Sequence, residues 1–274
     1  MKKILSLFLL LGIFFSFVSC QKEQEENLIT KIKKRGYLSV TLEPENMPFE
    51  MKAINGDVIG FDIDLITEFA KKLGVSVKIQ LTTWDEIFFS LLVNNIEEEN
   101  PVDLIISGMT ITEERGEKVD FSEPYFLTGQ AFLISKENPK NIKSWQDLNQ
   151  EGMIIAVKMG AIAEYVSKKM FPKATLLLSR NETVAANEVV QGHAHATVFD
   201  QPFIAIFAKK NSGKVYAFTE PFTNESFGIA VRKENPDLLQ EVNLFLIEFK
   251  ESQKYKDLYK KYFVDMPWLD SVEE

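Results

Sequence analysis

The sequence predicts an α/β protein, because strand-like and helix-like hydrophobic patterns alternate along most of its 274 residues. Tyr37–Leu42 has the apolar character of a buried strand, residues 63–73 place apolar side chains at helical spacing, and residues 75–81 alternate like a second strand. Strands that alternate with helices indicate βαβ units, and such units form mostly parallel sheets.

The first half of the chain carries signals for where its elements begin and end. A helix is expected to end at Gly36, after three basic residues and just before the first strand. Asp62 is the candidate N-cap of the helix over 63–73, and Gly74 follows the last turn of that helix. The next two predicted elements are a helix at Ile87–Val93 and a short buried strand at 103–107.

The second half continues the alternation in two further groups, at 145–178 and 182–207. The tail, 236–263, predicts one long amphipathic helix. Aromatic residues cluster near the end of this helix, at Tyr255, Tyr259, Tyr262 and Phe263. No segment repeats along the chain, which excludes solenoid architectures.

Composition and charge narrow the possible classes of function. Hydrophobic residues make up 45% and charged residues 26% of the chain, as in ordinary globular proteins, which excludes collagen-like, disordered and multispan membrane chains. Lysine and arginine number 31 against 40 acidic residues, and the resulting formal charge of -9 repels nucleic-acid phosphates. We therefore expect no nucleic-acid partner.

Cysteine and histidine are too few for a disulfide or a zinc site of the common kinds. The chain has one cysteine, and its only histidines are His193 and His195. Both histidines are interpreted as structural residues, with a metal site as the less favoured alternative. We expect neither a metal nor a cofactor.

The single cysteine, Cys20, follows an N-terminal targeting segment. Two lysines precede an almost unbroken apolar stretch at 4–18, which is short for a bilayer span and typical of a secretory signal. The end of this segment, Phe-Val-Ser-Cys at 17–20, resembles a bacterial lipobox, whose cysteine is diacylated and becomes the new N-terminus. Residues 1–20 are thus predicted to be a signal peptide and 21–28 a polar tether, which anchors an extracytoplasmic protein to a bacterial membrane. The alternative is an uncleaved anchor with an incidental cysteine.

The strongest local motif is the run 107–115, which follows a strand and opens a helix. Thr110 and Glu113 stand at capping-box spacing. Ligands of open α/β sheets bind at the carboxyl ends of strands, and helix N-termini attract anions. The planar guanidinium of Arg115 could grip a carboxylate with two hydrogen bonds. The alternative for Arg115 is a solvated helix charge that pairs with Glu113 or Glu114.

Five short runs together resemble the polar amino-acid solute-binding proteins of bacterial ABC importers. They are Pro-Phe-Glu at 48–50, Gly-Phe-Asp-Ile-Asp-Leu at 60–65, Trp-Asp at 84–85, Thr-Ile-Thr-Glu-Glu-Arg at 110–115 and Phe-Ser-Glu-Pro-Tyr at 121–125. The resemblance extends from about residue 32 to residue 263. It implies a two-lobed periplasmic-binding-protein fold of type II, in which two hinge strands join two α/β lobes and the ligand is held in the cleft between them.

The resemblance also implies how the chain is divided between the lobes. The first lobe is expected to be discontinuous, at 29–128 and 223–274, and the second lobe is expected at 129–222. The crossings between lobes should fall near 127–131 and 220–226. The tail helix is then expected to pack back onto the first lobe.

The family's ligand site, carried over position by position, implies a clamp for a free amino acid. Arg115 would bind the carboxylate, helped by backbone amides of Ser107, Gly108 and Thr110 and by the Thr110 hydroxyl. Asp200, at the carboxyl end of a strand, would bind the ammonium group. The alternative for Asp200 is a cap of the following helix.

Two further positions are implied to contact the side chain of the ligand. Trp84 matches a position that often packs against that side chain, and a plain core tryptophan is the alternative. Lys158 matches a lysine of the second lobe that approaches the side chain in glutamine-binding members, and a surface lysine after a strand is the alternative.

Three departures from the family's pattern bear on specificity. Asn46 stands where many members have an aromatic side chain that stacks on the ligand, and Glu43 replaces a commoner aspartate. Ala161 and Ile162 stand where the family has hydroxyl donors to the carboxylate, which leaves only backbone amides. Together with Lys158, the polar side chains of Glu43 and Asn46 favour a polar uncharged ligand such as glutamine ahead of acidic and basic ones.

The resemblance implies a non-enzymatic, monomeric lipoprotein that captures a free amino acid and delivers it to the permease of an ABC importer. An alternative from another class is a cyclohexadienyl dehydratase-like enzyme on the same fold, although the sequence shows no convincing acid–base pair beside a reactive cleft. A third reading is a ligand sensor that feeds a receptor.

Overall fold

Two five-stranded sheets, each flanked by helices, form the two lobes of the molecule. The computed structural model describes residues 26–93, 101–137 and 141–272. The predicted α/β fold in two lobes is confirmed. The predicted signal peptide, Cys20 and most of the predicted tether lie outside the described residues, and the first helix begins at Leu28.

The strands in chain order are β1 (Tyr37–Leu42), β2 (Met51–Lys52), β3 (Val58–Ile59), β4 (Ser76–Leu81), β5 (Leu104–Ile105), β6 (Asp120–Phe121), β7 (Phe126–Thr128), β8 (Gln130–Ser135), β9 (Ile154–Lys158), β10 (Thr175–Ser179), β11 (Ala196–Asp200), β12 (Val215–Phe218), β13 (Glu225–Phe227) and β14 (Ala230–Val231). The α-helices are α1 (Leu28–Arg35), α2 (Phe61–Leu73), α3 (Ile87–Val93), α4 (Glu113–Gly116), α5 (Ile162–Met170), α6 (Glu182–Val190), α7 (Gln201–Lys210), α8 (Pro236–Lys250) and α9 (Gln253–Tyr259). Short 3₁₀ turns lie at Trp84–Glu86 and Trp145–Leu148, and a π-helical turn lies at Lys260–Asp265.

The sheet of the first lobe takes its strands from both parts of the chain. Its order is β4-β1-β5-β14-β6, in which β1 runs parallel to β4 and β5 while β14 runs antiparallel to β5 and β6. Strand β5 is shorter than the predicted 103–107, because the chain turns away at Gly108, where φ is +49°. This turn places the run 107–115 at the carboxyl end of the sheet.

The sheet of the second lobe has the order β10-β9-β11-β8-β12, with β9, β10 and β11 parallel. Between the two sheets, β7 and β13 pair antiparallel and set Thr128 opposite Glu225 and Phe126 opposite Phe227. This pair provides the two predicted hinge strands. The lobe boundaries at 128/129 and 222/223 stay a prediction.

The predicted cap of α2 is wrong. The N-cap is Gly60, and Asp62 lies inside the first turn with its side chain fully buried. Asp62 Oδ2 accepts a hydrogen bond from the backbone amide of Gly108 at 2.9 Å. The local sequence pattern could not distinguish a helix cap from a buried acceptor, because the partner of Asp62 lies in the loop after strand β5.

The predicted capping box around α4 is also wrong. Thr112, not Thr110, is the N-cap, and its hydroxyl oxygen accepts from the Arg115 amide at 3.2 Å. Thr110 forms an isolated antiparallel bridge with Phe227 near the hinge. The helix therefore starts later than predicted and turns Arg115 toward the cleft.

The tail is not one long helix but is broken after α8. Ser252 caps α9 by accepting from the Tyr255 amide, and this break redirects the chain. Tyr255 Oη then donates to the carbonyl of Tyr125 at 3.0 Å, and the Phe263 ring stacks on Phe126 with centroids 4.9 Å apart. The aromatic cluster predicted from the sequence thus packs against the first lobe.

Within the described ranges, no helix has the length and apolar character needed to cross a bilayer.

Candidate ligand-binding site

A small cavity lies between the two lobes. It is lined by Glu43, Asn46, Trp84, Gly108, Thr110, Arg115, Lys158, Ala161, Ile162, Ala163, Phe199 and Asp200. Ten of the eleven predicted site residues are in this lining, and Ser107 lies buried behind it. The cavity volume of about 20 Å³ is roughly that of one water-binding site. Admission of an amino acid therefore requires the lobes to move apart or the lining side chains to shift.

Arg115 is buried against Trp84, so the alternative of a solvated helix charge is wrong. Its Nη1 donates to the carbonyl of Thr110 at 2.9 Å, and the guanidinium carbon lies 5.2 Å from the centroid of the Trp84 ring. Burial lowers the pKa of Arg115 to about 10, which leaves the side chain cationic at neutral pH. A fixed, desolvated guanidinium of this kind is suited to a carboxylate.

Asp200 ends strand β11 and faces the same cavity. Asp200 occupies the N-cap position of α7, but its side chain makes no capping hydrogen bond there. Gln130 Nε2 instead donates to Asp200 Oδ1 at 2.9 Å and to Glu225 Oε2 at 3.0 Å. Burial, with the nearby Glu225 and Glu182 carboxylates, raises the pKa of Asp200 well above its usual value. A cation placed beside Asp200 would relieve this unfavourable environment.

Lys158 reaches across the cleft to the other lobe, and the alternative of a surface lysine is wrong. Its ammonium group donates to Glu43 and, at 3.0 Å, to Glu182 Oε2, and the Lys158 side chain is only 2% exposed. We name these three residues the Glu43–Lys158–Glu182 cluster. Two of the three ammonium hydrogens of Lys158 are thus engaged by carboxylates. Lys158 also lines the cavity, and its contact with the ligand side chain stays a prediction.

The cluster carries more acid than base. Burial opposes the charge on Lys158, but Glu182 and Glu43 outweigh burial and raise the pKa of Lys158 above its usual value. Burial raises the pKa of Glu43 to about 7 despite the attraction of Lys158. The raised pKa of Lys158 favours a charged ion pair, whereas the raised pKa of Glu43 favours a neutral, protonated Glu43. We take Lys158 as cationic and Glu43 as the group that exchanges a proton near neutral pH, because a second carboxylate also holds Lys158.

Trp84 is not a core tryptophan but closes the cleft from the first lobe. Its Nε1 donates to the carbonyl of Gly160 on the second lobe at 3.0 Å. Its ring also lies 5.1 Å from the ammonium of Lys158, so both cations of the cavity face the same indole. Gly160 leads into α5, whose N-cap Ala161 and first residue Ile162 place the helix N-terminus at the cavity.

The loop 107–110 does not direct all of its predicted hydrogen-bond donors into the cavity. The Gly108 amide donates to Asp62 inside the first lobe rather than into the cavity. The Ser107 hydroxyl accepts from the Glu43 amide at 3.0 Å and donates to Glu50 Oε1 at 2.8 Å. One predicted loop donor, the Gly108 amide, is thus used within the first lobe, and the loop presents Gly108 and Thr110 to the cavity from a fixed position.

Several polar groups around the cavity were not predicted. Glu182 is the first residue of α6 and resembles an ordinary first-turn acid, while Gln130 and Glu225 lie on hinge-side strands. A pairing of strands β8 and β11 brings Gln130 opposite Asp200, and only tertiary structure reveals that contact. A signal did exist for Glu182, because an acid after Asn181 follows a strand end in the second lobe.

Two larger pockets flank the cavity, and Trp84 lines both of them. The first, about 640 Å³, is lined by Glu43, Pro44, Glu45, Lys52, Leu81, Thr82, Thr83, Trp84, Asp85, Glu86, Met159 and Arg180. The second, about 590 Å³, is lined by Trp84, Asp85, Phe88, Thr112, Glu113, Glu114, Arg115, Glu117, Lys118, Gly160, Ala161, Ile162 and Tyr165. Each has four acidic and two basic side chains, so both approaches to the cavity favour cations over anions.

The two histidines lie in the second lobe in structural roles. His195 Nδ1 accepts from the Ile154 amide at 2.9 Å, and His193 contacts Glu188 at 2.9 Å. In the ranges that the structure describes, no group of three or more His, Cys, Asp or Glu side chains is placed to hold a metal ion.

Known proteins share this fold and much of this sequence. The ABC transporter glutamine-binding protein GlnH of Bacillus subtilis (strain 168) is 31% identical over 249 residues, which cover 90% of this chain and 88% of that protein. An ABC-transporter binding component from Wolinella succinogenes DSM 1740, solved in complex with lysine, is 41% identical with a TM-score of 0.80, covering 86% of this chain and 100% of that one. The ancestral amino acid-binding protein AncCDT-1, a precursor of cyclohexadienyl dehydratase, is 42% identical with a TM-score of 0.79, covering 86% of this chain and 99% of that one.

The resemblance seen in the sequence motifs is therefore confirmed over nearly the whole folded chain. The sequence model of one protein family matches residues 38–265, a range that includes both sheets, the cavity and the tail helices. The chain belongs to the bacterial extracellular solute-binding proteins, family 3.

Proposed function

We propose that this protein binds a free amino acid with a cationic side chain, lysine or arginine, outside the cytoplasm and delivers it to the permease of an ABC importer. The observation that carries the choice of ligand is the Glu43–Lys158–Glu182 cluster, in which two carboxylates face one ammonium group beside the cavity. The lysine complex of the Wolinella relative supports the same class of ligand, and the family supports solute binding outside the cytoplasm.

The amino-acid backbone of the ligand accounts for two charges of the site. Arg115 would bind the carboxylate, with the N-terminus of α5 at Ile162 beside it, and Asp200 would bind the ammonium group. Both side chains line the cavity, and both are buried, so their charges act at low local dielectric.

The ligand side chain then faces the remaining charges of the site. With Arg115 and Asp200 satisfied, the Glu43–Lys158–Glu182 cluster has one excess negative charge whenever Glu43 is ionised. The buried acceptors Asn46 Oδ1 and Glu182 Oε1 have no donor among the described residues. A lysine or arginine side chain supplies both the positive charge and the missing donors, whereas glutamine supplies donors without charge.

A binding role is favoured over the dehydratase alternative on electrostatic grounds. Prephenate-like substrates carry two carboxylates, and they would meet the acidic approaches to the cavity and the buried Asp200. A zwitterion with a cationic side chain places its charges opposite those of the site. We therefore propose a non-enzymatic binding protein, lipid-anchored through Cys20 and acting as a monomer.

Calorimetry on the purified protein tests the proposed ligand class. Lysine or arginine is expected to bind at least about tenfold more tightly than glutamine, a difference of about 1.4 kcal/mol. Mass spectrometry of the small molecules released by denaturation should find the same amino acid in protein purified from its host. Tighter binding of glutamine, leucine or prephenate would contradict the proposal, and turnover of prephenate would replace it with the enzymatic alternative.

A further inference from the structure

Two carboxyl groups lie together behind the cavity, with no neutralising cation among the residues that the structure describes. Glu50 and Asp62 are both fully buried, and their carboxyl groups are close enough to interact electrostatically. Among the described residues, no lysine or arginine pairs with either carboxyl group. Two buried carboxylates repel each other and are costly to desolvate, so the pair is expected to retain one proton.

Each of these carboxyl groups also holds one residue of the loop 107–110. Ser107 Oγ donates to Glu50 Oε1 at 2.8 Å, and the Gly108 amide donates to Asp62 Oδ2 at 2.9 Å. Tyr125 Oη donates to the same Asp62 oxygen at 2.8 Å. The loop is thus fixed from inside the first lobe by an acid pair that does not line the cavity.

The hydrogen bonds indicate where the shared proton resides. Glu50 Oε2 and Asp62 Oδ1 are buried and receive no hydrogen bond from any other described group. Asp62 accepts two donors on its other oxygen, which stabilises its carboxylate form, whereas Glu50 accepts only one. The proton is therefore assigned to Glu50, which donates it to Asp62.

We propose that Glu50 is a neutral carboxylic acid at neutral pH and that Glu50 and Asp62 together position the loop 107–110 for ligand binding. The loop in turn sets the clamp, because the Thr110 carbonyl holds Arg115 at 2.9 Å. Gly108 has little room to move, since a Cβ there would lie 2.2 Å from Asn46 Nδ2. This positioning role goes beyond the proposed ligand class and holds for any amino acid.

The pair makes the loop sensitive to alkaline pH. Burial, with the adjacent Asp62 charge, raises the pKa of Glu50 well above its usual value, and burial raises the pKa of Asp62 to about 6. The other ionisable groups that face the pair are Tyr125, which precedes β7, and Glu43, which follows β1. The stabilisation from neutral Glu50 is complete below pH 4.5 and is lost as the pH rises through the raised pKa of Glu50.

Hydrogen exchange at the Gly108 amide, measured without ligand, tests this proposal directly. In the wild-type protein the protection factor is expected to fall at least about tenfold between pH 6 and pH 9, as the shared proton leaves. In Glu50→Gln, whose side-chain amide donates to Asp62 at every pH, protection should stay within about threefold over that range. Identical pH profiles for the two proteins would overturn the proposal.

A measurement on the wild-type protein alone removes any dependence on how well the variant folds. The carboxyl carbon shift of Glu50 in nuclear magnetic resonance is expected to report a neutral acid at pH 7. A Glu50 carboxyl that titrates near its ordinary value of 4.5 would refute the assignment.

Ligand affinity supplies a third readout with a matched control. Glu50→Ala is expected to weaken amino-acid binding at least about tenfold, and Glu50→Gln should restore it to within about threefold. The control, Tyr125→Phe, removes a donor from Asp62 but leaves both loop contacts, so its affinity should also stay within about threefold. Equal affinity of Glu50→Ala and wild type would contradict the positioning role. If the wild-type protein binds no amino acid, the proposed function fails, while the exchange and carbon-shift measurements still decide this inference.

Discussion

The ammonium group of Lys158 in the second lobe bonds the carboxylate of Glu43 in the first lobe, so a buried ion pair crosses the cleft. Two further bonds cross beside it, from Trp84 to the Gly160 carbonyl at 3.0 Å and from Asn181 to Glu45. The closed arrangement of the lobes is thus stabilised by the protein's own side chains. An amino acid that enters must exchange some of these contacts for its own.

Replacing Lys158 tests the balance of charge in the cluster. Lys158→Met leaves Glu43 and Glu182 buried without a cation, so the free energy of unfolding should fall by about 3–5 kcal/mol. The same change removes a positive charge from the cavity, so affinity for lysine should rise relative to affinity for glutamine. Chemical denaturation and calorimetry measure the two effects. A larger loss of lysine affinity than of glutamine affinity would contradict the proposed role of the cluster.

The proton on Glu43 predicts a pH dependence of binding. Burial raises the pKa of Glu43 to about 7, and a cationic ligand beside it favours its ionised form. Affinity for lysine is therefore expected to rise as the pH increases from 6 to 8, with proton release that Glu43→Gln abolishes. Calorimetry in buffers of different ionisation enthalpy measures the release. Glutamine serves as the control ligand, because it engages Asp200 equally but brings no side-chain charge; equal release with both ligands would exclude Glu43 as the source.

The clamp predicts large losses of affinity from two single substitutions. Arg115→Ala and Asp200→Ala each leave a charge of the ligand without its partner, which costs about 2–5 kcal/mol, or roughly 30- to several-thousand-fold in affinity. Circular dichroism should show that both variants keep the native fold. Glu114→Ala is a suitable control, because Glu114 lies next to Arg115 in sequence and lines only an outer pocket. Near-wild-type binding by both clamp variants would show that other residues hold the amino-acid backbone.

The lipid anchor is tested at Cys20. Cys20→Ala should prevent acylation and release the protein into the soluble fraction or leave it as precursor, because stable anchoring depends on the acyl chains. Cell fractionation with N-terminal sequencing measures both outcomes, and Cys20→Ser provides a second variant of nearly the same size. Membrane retention with cleavage at the unchanged position would refute the lipoprotein proposal.

The clamp positions could be predicted from sequence because their signals are local. Asp200 ends strand β11 and Arg115 lies in helix α4 after strand β5, so both are near strand carboxyl ends, where ligands of α/β sheets bind. The short motifs around Arg115 fix its place in the fold. The structure brings both to one cavity, as expected. Their roles as ligand contacts stay a prediction.

The contacts that could not be predicted from sequence join residues that lie far apart along the chain. Lys158 meets Glu43 across 115 residues, and Asp62 meets Gly108 across 46 residues. Lys158 therefore resembled a free donor, and Asp62 resembled a helix cap. The break between α8 and α9 was missed for a similar reason, since contacts with the first lobe outweigh the local helical pattern.

The route of the chain through the hinge sets the order in which the lobes can be completed. All five strands of the second sheet lie between residues 130 and 218, so that lobe can fold as soon as this continuous segment is available. In the first sheet, β14 at Ala230–Val231 sits between β5 and β6, so the earlier strands wait for almost the last part of the chain. A chain that is exported with its N-terminus first therefore completes the second lobe first. The first lobe is completed last, although its earliest strands leave the membrane before any other.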